Sequence, residues 1–220
     1  MYSTREWNVN TSTENKPLLD RLLELRGITG EEDKKNFLNP LEITLLHPNA
    51  FCDMPKAVSR ITDAIQNKEN ILIYGDFDAD GVTSTAVLLK TLKHLGGSVD
   101  YYIPNRETEG HGLNSKALVK MISQKNPKLI ITVDNGISNV EEVKMINGLC
   151  RDIIITDHHE APDILPEAYA IINPKSINAL HESLSAKQIE YLTSLAGVGV
   201  AFKLAQALLE KFDKLDFCYE

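Results

Sequence analysis

Short apolar runs alternate with amphipathic stretches over most of this chain. The runs have the length of buried strands, whereas the stretches between them repeat apolar residues at helical spacing. Strands are predicted at residues 71–74, 99–103, 129–133, 153–155 and 170–172. Because repeated β-α-β units with apolar strands form covered sheets, we predict an α/β fold. It is a doubly wound parallel sheet of about five strands with helices on both faces.

Helices are predicted beside these strands at residues 54–66, 82–95, 114–124 and 199–211. Further helix starts are predicted from capping boxes, in which a Ser or Thr and a Glu or Gln three positions later satisfy backbone groups. These pairs are Thr29 with Glu32, Ser138 with Glu141, and Ser185 with Gln188.

The N-terminal part of the chain differs from the rest. An amphipathic helix over residues 18–25 and a second short helix ending near Asn39 predict a helical extension, residues 1–50. We assign no chemistry to this extension. Residues 51–220 form the predicted main domain.

Composition narrows the class of protein. The 220 residues carry a formal net charge of -8, which argues against a broad basic surface for nucleic acid but not against a metal-dependent nuclease. The three cysteines are far apart and odd in number, as expected for free thiols in a reducing compartment. The N-terminus lacks the apolar core of a signal peptide, and no apolar run reaches membrane-spanning length. We therefore expect a cytoplasmic protein without a membrane partner.

Acidic residues follow the first predicted strand at every second position. Asp76, Asp78 and Asp80 point the same way while the chain stays extended. Like charges this close repel one another and raise each other's pKa. The arrangement needs either a hard cation or exposure to water.

This acidic segment has three other interpretations. An EF-hand calcium loop needs a Glu at its twelfth position, but counting from Asp76 that residue is Val87, and a strand rather than a helix precedes the loop. In a haloacid-dehalogenase-type phosphatase, Asp78 would be the nucleophile and Asp80 the acid/base. That interpretation leaves the later motifs unexplained and lacks a placed Lys. The third is a solvated acidic turn without chemistry.

Polar clusters also follow the next predicted strands. They are Asn105 and Arg106 after the second strand, Asp134, Asn135 and Gly136 after the third, and Thr156, Asp157, His158, His159 and Glu160 after the fourth. In a doubly wound sheet the carboxyl ends of the strands share one edge, where ligands bind. An adjacent His pair or an Asn-Gly turn is common on its own, so the convergence carries the prediction.

The side-chain types at this edge favour a metal site. Carboxylates with imidazoles and no thiolate suit manganese, magnesium or iron better than structural zinc. Asp78, Asp80, Asp134 and His158 are enough to hold two ions with a shared carboxylate. Two such ions serve in-line displacement at phosphorus, and Arg106 can then hold a phosphate oxygen.

Four segments, GDFDADGVTSTA, PNRETEGHGLN, TVDNGIS and TDHHE, occur in the order and approximate spacing of the DHH phosphoesterase superfamily. Within it the chain most resembles the RecJ family of single-strand-specific exonucleases, through FLNP, INPK and LAGVGVAFKLAQAL as well. The resemblance covers about residues 17 to 212. It implies that residues 51–220 are a DHH catalytic domain.

The resemblance implies specific roles at the strand ends. Asp78 binds one metal, Asp80 the other, and Asp134 bridges them. His158 is a ligand and His159 contacts the scissile phosphate. Asp76 and Asp157 are ligands or orient ligands. Some members have a His where this chain has Tyr74, so that ligand is absent or is replaced by Asp76.

The predicted site follows from these roles. The predicted catalytic residues are His159, Arg106 and Asp157, and the predicted substrate-binding residues are Arg106, His159, Asn105 and His111. The implied reaction releases 5′-mononucleotides from single-stranded DNA in the 5′→3′ direction during repair and recombination. It uses two Mn²⁺ or Mg²⁺ ions.

Several implied parts are missing from these residues. The family has a further metal-binding Asp soon after the GVGVAFKL helix, a second DHH-associated domain and an OB-type domain. We expect the catalytic domain to be truncated at its C-terminal end, to bind metal weakly and to be poorly active alone. Expected partners are single-stranded DNA, largely through the missing domains, and repair proteins such as a helicase or single-strand-binding protein. The alternatives are a phosphoesterase for small nucleotides or pyrophosphate, and a non-catalytic scaffold.

Overall fold

The computed structural model describes residues 16–39 and 46–219 of the chain. The chain divides into two compact units, residues 1–45 and 46–220. The predicted boundary between an extension and a catalytic domain near residue 50 remains a prediction.

In the first unit, two short helices are described. Helix α1 spans Leu18–Leu25 and α2 spans Glu31–Leu38, close to their predicted positions. The Nζ of Lys34 in α2 lies 3.2 Å from the carboxylate of Asp20 in α1. The capping box predicted at Thr29 and Glu32 is wrong, because Gly30 precedes the first helical residue and no side chain caps the helix.

The second unit contains the predicted parallel sheet. Its strands are β1 (Asn70–Tyr74), β2 (Ser98–Tyr102), β3 (Leu129–Val133), β4 (Asp152–Thr156) and β5 (Ala170–Ile172). All neighbouring strands are parallel, in the order β2-β1-β3-β4-β5. The chain winds outward from β1 in one direction and from β3 in the other. The sheet therefore has its switch point between β1 and β3, where ligands of such folds bind.

Helices cover both faces of the sheet, as predicted. The helices of this unit are α3 (Met54–Gln66), α4 (Ala79–His94), α5 (Ser115–Lys125), α6 (Val140–Gly148), α7 (Ala186–Thr193) and α8 (Gly197–Lys211). Side chains of α3, α4, α7 and α8 form one apolar core with alternate strand residues such as Ile73 and Ile131. The intervening residues, such as Leu72 and Ile130, form the second core with α5 and α6. Alternation along buried strands thus divides the apolar residues between two layers.

The predicted capping residues were correct at some helix starts and wrong at others. The predicted cap Asn114 accepts hydrogen bonds from the backbone of Lys116 and Ala117, and the box of Ser185 with Gln188 is present. The box predicted at Ser138 is wrong, because α6 is preceded by Asn139. The Asn139 side chain instead accepts a hydrogen bond from the backbone N–H of Leu113.

The helices of the described residues differ from membrane spans in length or composition. None of them alone is long and apolar enough to cross a membrane. Helices α7 and α8 meet both criteria only when taken together, with a bend of 110° between them.

Helix α8 carries a buried lysine, Lys203, whose desolvation can be measured through the pH dependence of stability. The side chain of Lys203 is 1% exposed, and its ammonium donates to the backbone carbonyl of Leu46 and to Gln206. Desolvation by burial lowers the pKa of Lys203 to about 8. In the unfolded chain the pKa returns to about 10.4. Between these values the unfolded state binds more protons, so folding is stabilised as pH rises.

We expect the free energy of unfolding to rise between about pH 8 and pH 10 through Lys203. Urea unfolding across this range should show a smaller rise for Lys203→Met than for the parent chain. Lys211→Met, at an exposed position of the same helix, serves as the control and should keep the parent's profile. Identical profiles for the two variants would contradict the assignment.

Candidate metal centre

The carboxyl ends of β1, β3 and β4 bring three buried carboxylates to the switch-point edge. Asp76 is 5% exposed, Asp134 2% and Asp157 1%. Pairing between the strands positions Asp134 and Asp157 along the edge. The backbone N–H of Asp134 donates to the carbonyl of Thr156, and that of Asp157 donates to the carbonyl of Ile172. The prediction that separate segments converge at one edge therefore agrees with the observed placement of these residues.

Asp134 is the most constrained of these residues. Its φ of 62° lies in the left-handed region, which is uncommon for residues other than Gly. Its Oδ1 is buried and has no hydrogen-bond partner among the described residues. Burial, followed by the charges of Asp80 and Asp78, raises the pKa of Asp134 to about 7. A buried, unsatisfied carboxylate oxygen beside two other carboxylates is suited to a cation.

His158 lies directly against this carboxylate. Its Nε2 is 3.1 Å from Oδ1 of Asp134, without hydrogen-bond geometry, and 3.5 Å from Oδ2 of Asp80. Asp134, His158 and His159 each offer a ligand atom, and these three atoms lie within 4.8 Å of one another. The same small space is thus lined by carboxylate and imidazole donors, both of which are ligands of divalent metal ions.

The carboxylate of Asp157 is hydrogen-bonded to both residues of the His pair. Its Oδ1 accepts hydrogen bonds from the backbone of His158 and from Nδ1 of His159, and its Oδ2 accepts from the backbone of Ile137. Desolvation raises the pKa of Asp157, but the hydrogen bonds from His159 and Ile137 outweigh it and the pKa is lowered. The hydrogen bond to Asp157 in turn raises the pKa of His159 to about 9. Asp157 therefore fixes the ring of His159 in place.

Asp80 is held by the first residues of α8. Its two carboxylate oxygens accept the backbone N–H groups of Gly197 and Val198 at 2.6 and 2.7 Å. These N–H groups have no partner within the helix, and the helix dipole favours a negative charge there. A helix start distant in sequence thus fixes the orientation of Asp80.

Gly197 also determines how close α8 comes to the carboxylates. A Cβ atom at this position would lie 2.7 Å from the carboxyl carbon of Asp134 and would overlap its Oδ1. The absence of a side chain therefore lets α8 reach Asp80 while it lies against Asp134.

The alternating arrangement predicted for Asp76, Asp78 and Asp80 on an extended chain is wrong. Helix α4 begins at Ala79, three residues earlier than predicted. Asp78 precedes the helix and its Oδ1 accepts the backbone N–H of Gly81, while Asp80 lies in the first turn. Because the chain turns here, each carboxylate has a different neighbour.

Three of the predicted substrate-binding residues, Asn105, Arg106 and His111, lie in the loop after β2, whereas the fourth, His159, follows β4. The His111 Nδ1 is 3.5 Å from Oδ2 of Asp76, and the Arg106 guanidinium lies over the ring of Phe77, 5.4 Å from its centre. The Asn105 side chain accepts the backbone N–H of Glu107 within its own loop. The phosphate contact expected of Arg106 and the substrate contact expected of Asn105 stay predictions.

A pocket of ≈ 370 Å³ opens beside the carboxylates. Its walls include Asp76, His111, Asp134, Asp157 and His159. Tyr74 is not among them, because its ring is fully buried and its hydroxyl accepts the backbone N–H of Asn114. Tyr74 therefore has a packing role where a His ligand occurs in some DHH proteins.

Sequence reasoning missed the backbone groups that hold the site. Gly197 and Val198 belong to the segment LAGVGVAFKLAQAL, whose helix was predicted to begin at residue 199, two residues later than α8 begins. Its paired glycines at a helix start were the available signal for close approach. The N–H of Ile137 gave no such signal, because a backbone donor has no sequence signature.

Comparisons with known proteins place these residues in context. Residues 70–218 match the model described as DHH family, N-terminal domain. The single-stranded-DNA-specific exonuclease RecJ of Bacillus subtilis (strain 168) is 45% identical over 193 residues, covering 88% of this chain and 23% of that protein. The RecJ of Haemophilus influenzae is 40% identical over 212 residues, covering 96% of this chain and 34% of that protein.

Solved structures agree with these sequence matches. A crystal structure of exonuclease RecJ bound to manganese has a TM-score of 0.65 and 30% identity, covering 76% of this chain and 40% of that one. RecJ of Thermus thermophilus in complex with Mn²⁺ has a TM-score of 0.64 and 28% identity, covering 89% of this chain and 25% of that one. This chain spans 23% and 34% of the length of the two curated relatives described above.

We expect Gly197→Ala to destabilise the fold by about 1–3 kcal/mol, the usual cost of forcing extra atoms into a packed site. The new methyl group would overlap Asp134 and disturb the hydrogen bonds to Asp80. Urea unfolding measures this cost. Gly148→Ala is the control, since a Cβ there meets nothing within 4 Å, and it should leave stability unchanged or raise it. Equal midpoints for Gly197→Ala and the parent chain would contradict this packing.

Proposed function

This chain belongs to the DHH family, and we propose that it is the catalytic domain of a metal-dependent exonuclease acting on single-stranded DNA. The proposed reaction degrades the strand from its 5′ end and releases 5′-mononucleotides, in DNA repair and recombination. The observation that carries the proposal is the buried Oδ1 of Asp134 at the switch point of the sheet, which has no hydrogen-bond partner among the described residues and lies 3.1 Å from Nε2 of His158. Relatives named as single-stranded-DNA-specific exonucleases support the choice of substrate.

The residues at this edge fit divalent metal ions. An unsatisfied buried carboxylate, adjacent carboxylates and an imidazole together favour cations over an empty cavity. We propose that Asp78, Asp80, Asp134 and His158 hold two Mn²⁺ or Mg²⁺ ions, with Asp134 shared. RecJ structures with bound manganese support this choice of metal. When bound, the ions would supply positive charge to the oxygens of a phosphoryl group under in-line attack.

The chain's own groups then orient the substrate. Asp157 holds Nδ1 of His159 and leaves Nε2 as the ring nitrogen available to a phosphate oxygen. His159 lines the pocket, so a phosphodiester placed there meets a donor of fixed direction. Asp76, also in the pocket wall, would orient neighbouring groups or contribute a metal ligand. We propose that Arg106 would hold a further phosphate oxygen with its guanidinium group.

Other expectations stay with this proposal. This chain matches only 23% and 34% of the length of two relatives named as exonucleases. We therefore propose the full activity for a protein of their length and expect weak activity from these 220 residues alone. Single-stranded DNA is the proposed partner, with a helicase or single-strand-binding protein as proposed repair partners. A cytoplasmic location is likewise a proposal.

Metal binding can be tested separately from catalysis. Asp134→Asn should weaken Mn²⁺ binding, measured by calorimetry, by more than the roughly 10- to 100-fold that loss of a supporting residue costs. Without metal, the variant should be at least as stable as the parent, because a buried charge has been removed. Asp63→Asn changes an exposed carboxylate on α3 and should bind Mn²⁺ as the parent does. Unchanged Mn²⁺ affinity in Asp134→Asn would remove the proposed metal site.

Substrate and direction can be tested with labelled DNA. With Mn²⁺, a 5′-labelled single strand should yield labelled mononucleotide as its first product, and duplex DNA should be resistant. His159→Ala should lower kcat about 100- to 1,000-fold, as expected for loss of one preorganised donor, while Asp63→Asn has no effect. Cleavage restricted to dinucleotides would favour the small-nucleotide phosphoesterase, and inactivity despite tight metal binding would favour the scaffold.

A further inference from the structure

Beside the proposed metal site at the switch-point edge of the sheet, three side chains from the loops after β1 and β2 lie together. Phe77 lies between Asp76 and Asp78 in the sequence, while Arg106 and His111 come from the loop after β2. We propose that Phe77, Arg106 and His111, here called the stacking platform, bind the nucleobase next to the scissile phosphate. This inference rests on the proposed function and adds a base-binding subsite to it.

The platform is ordered by its own contacts. The rings of Phe77 and His111 are 4.4 Å apart at an interplanar angle of 49°. The guanidinium of Arg106 lies over the ring of Phe77 at 5.4 Å. Aromatic pairs and Arg–aromatic pairs at these separations attract each other. Two planar groups are thus held on one ring, beside a carboxylate of the switch-point edge.

The loop that carries His111 is fixed on both sides. Gly110 and Gly112 have φ values of 72° and 75°, which place the chain in the left-handed region on either side of His111. After the second glycine, the backbone N–H of Leu113 donates to Asn139 at the start of α6. A Cβ on Gly112 would lie 2.9 Å from the same Asn139 oxygen, so the loop depends on glycine there.

The preceding part of the loop is tied to β2. The Glu109 carboxylate accepts the hydroxyl of Tyr102 at 2.6 Å and the backbone N–H of Asn105 at 2.7 Å. The hydrogen bond from Tyr102 lowers the pKa of Glu109. His111 is therefore presented by a braced loop rather than by a free end.

Exposure distinguishes this cluster from a small structural core. The His111 side chain is 73% exposed although it contacts Phe77 and approaches Asp76. It also forms part of the wall of the pocket that contains Asp134 and His159. A ring held in position at a pocket rim, with most of its surface in water, is suited to bind a planar partner.

A nucleobase is the planar partner that fits this place. A phosphodiester bound at Asp134 and His159 carries a nucleoside on each side, and every base offers a π face. Stacking does not depend on base identity, which suits a nuclease that must process any sequence. The nearby Arg106 can strengthen stacking through its guanidinium plane.

The test uses stacking as a signal that does not require cleavage. A single strand with 2-aminopurine as its first base and a phosphorothioate first linkage, which slows hydrolysis, is titrated with the full chain and Mn²⁺. We expect base fluorescence to be quenched on binding. His111→Ala and Phe77→Leu should abolish the quenching and raise Kd roughly 5- to 150-fold, the range for loss of one stacked base.

Two further variants separate stacking from other effects. His111→Phe keeps a ring but no charge, so it should restore quenching if stacking is the cause. If His111→Phe behaves as His111→Ala, the side chain contacts phosphate instead and the proposal is wrong. Tyr101→Leu removes an aromatic side chain that is 53% exposed on β2 and should match the parent. Far-ultraviolet circular dichroism checks that each variant is folded.

The outcome is distinguishable from failure of the proposed function. Cleavage of single-stranded DNA without any quenching, or with quenching that survives in both His111→Ala and Phe77→Leu, overturns the platform and leaves the nuclease proposal intact. Quenching that needs both rings supports the platform even where cleavage is weak, whereas unchanged Mn²⁺ affinity in Asp134→Asn overturns the metal site on which the nuclease proposal depends.

Discussion

The structure depends on keeping several carboxylates close together at one edge of a sheet. Asp134 is 2% exposed, and its Oδ1 has no hydrogen-bond partner among the described residues, while Asp80 and Asp78 make its ionisation less favourable. Such an arrangement destabilises the metal-free fold and persists where the surrounding structure determines it. Here the sheet supplies that determination, because the residue after each strand is placed by the register of the strands themselves.

Backbone N–H groups donate to the other carboxylates of this edge, to Asp76 and Asp78 as well as to Asp157 and Asp80. Asp157 is satisfied by the N–H groups of His158 and Ile137 together with the ring of His159. Asp80 is satisfied by the start of α8. The Oδ1 of Asp134 receives no such compensation among the described residues. The uncompensated negative charge of the site is therefore concentrated on Asp134, which we propose as the shared metal ligand.

Different parts of the edge serve different parts of a proposed substrate. The β3 and β4 ends carry Asp134, His158 and His159, which suit metal and phosphate. The β1 and β2 ends carry Phe77, Arg106 and His111, which suit a planar base. A nucleotide strand lying across the switch point would meet both sets at once. The parallel sheet provides a rigid base for groups that must keep their spacing.

The amino-acid sequence determined the elements and the edge by itself. Apolar runs gave the strands, helical spacing gave most helices, and the residues after the runs gave Asp134, Asp157 and His158 as neighbours. Those features are local, because strands and helices are recognised from the spacing of apolar residues within a short segment. Tertiary structure alone decided that Asp80 would be held by Gly197, 117 residues away, and that His111 would rest on Phe77. The start of α4 at Ala79, which separates carboxylates that an extended chain would have aligned, had a local signal in the capping residue Asp78. Contacts between distant segments depend on how layers pack, and no local pattern encodes that geometry.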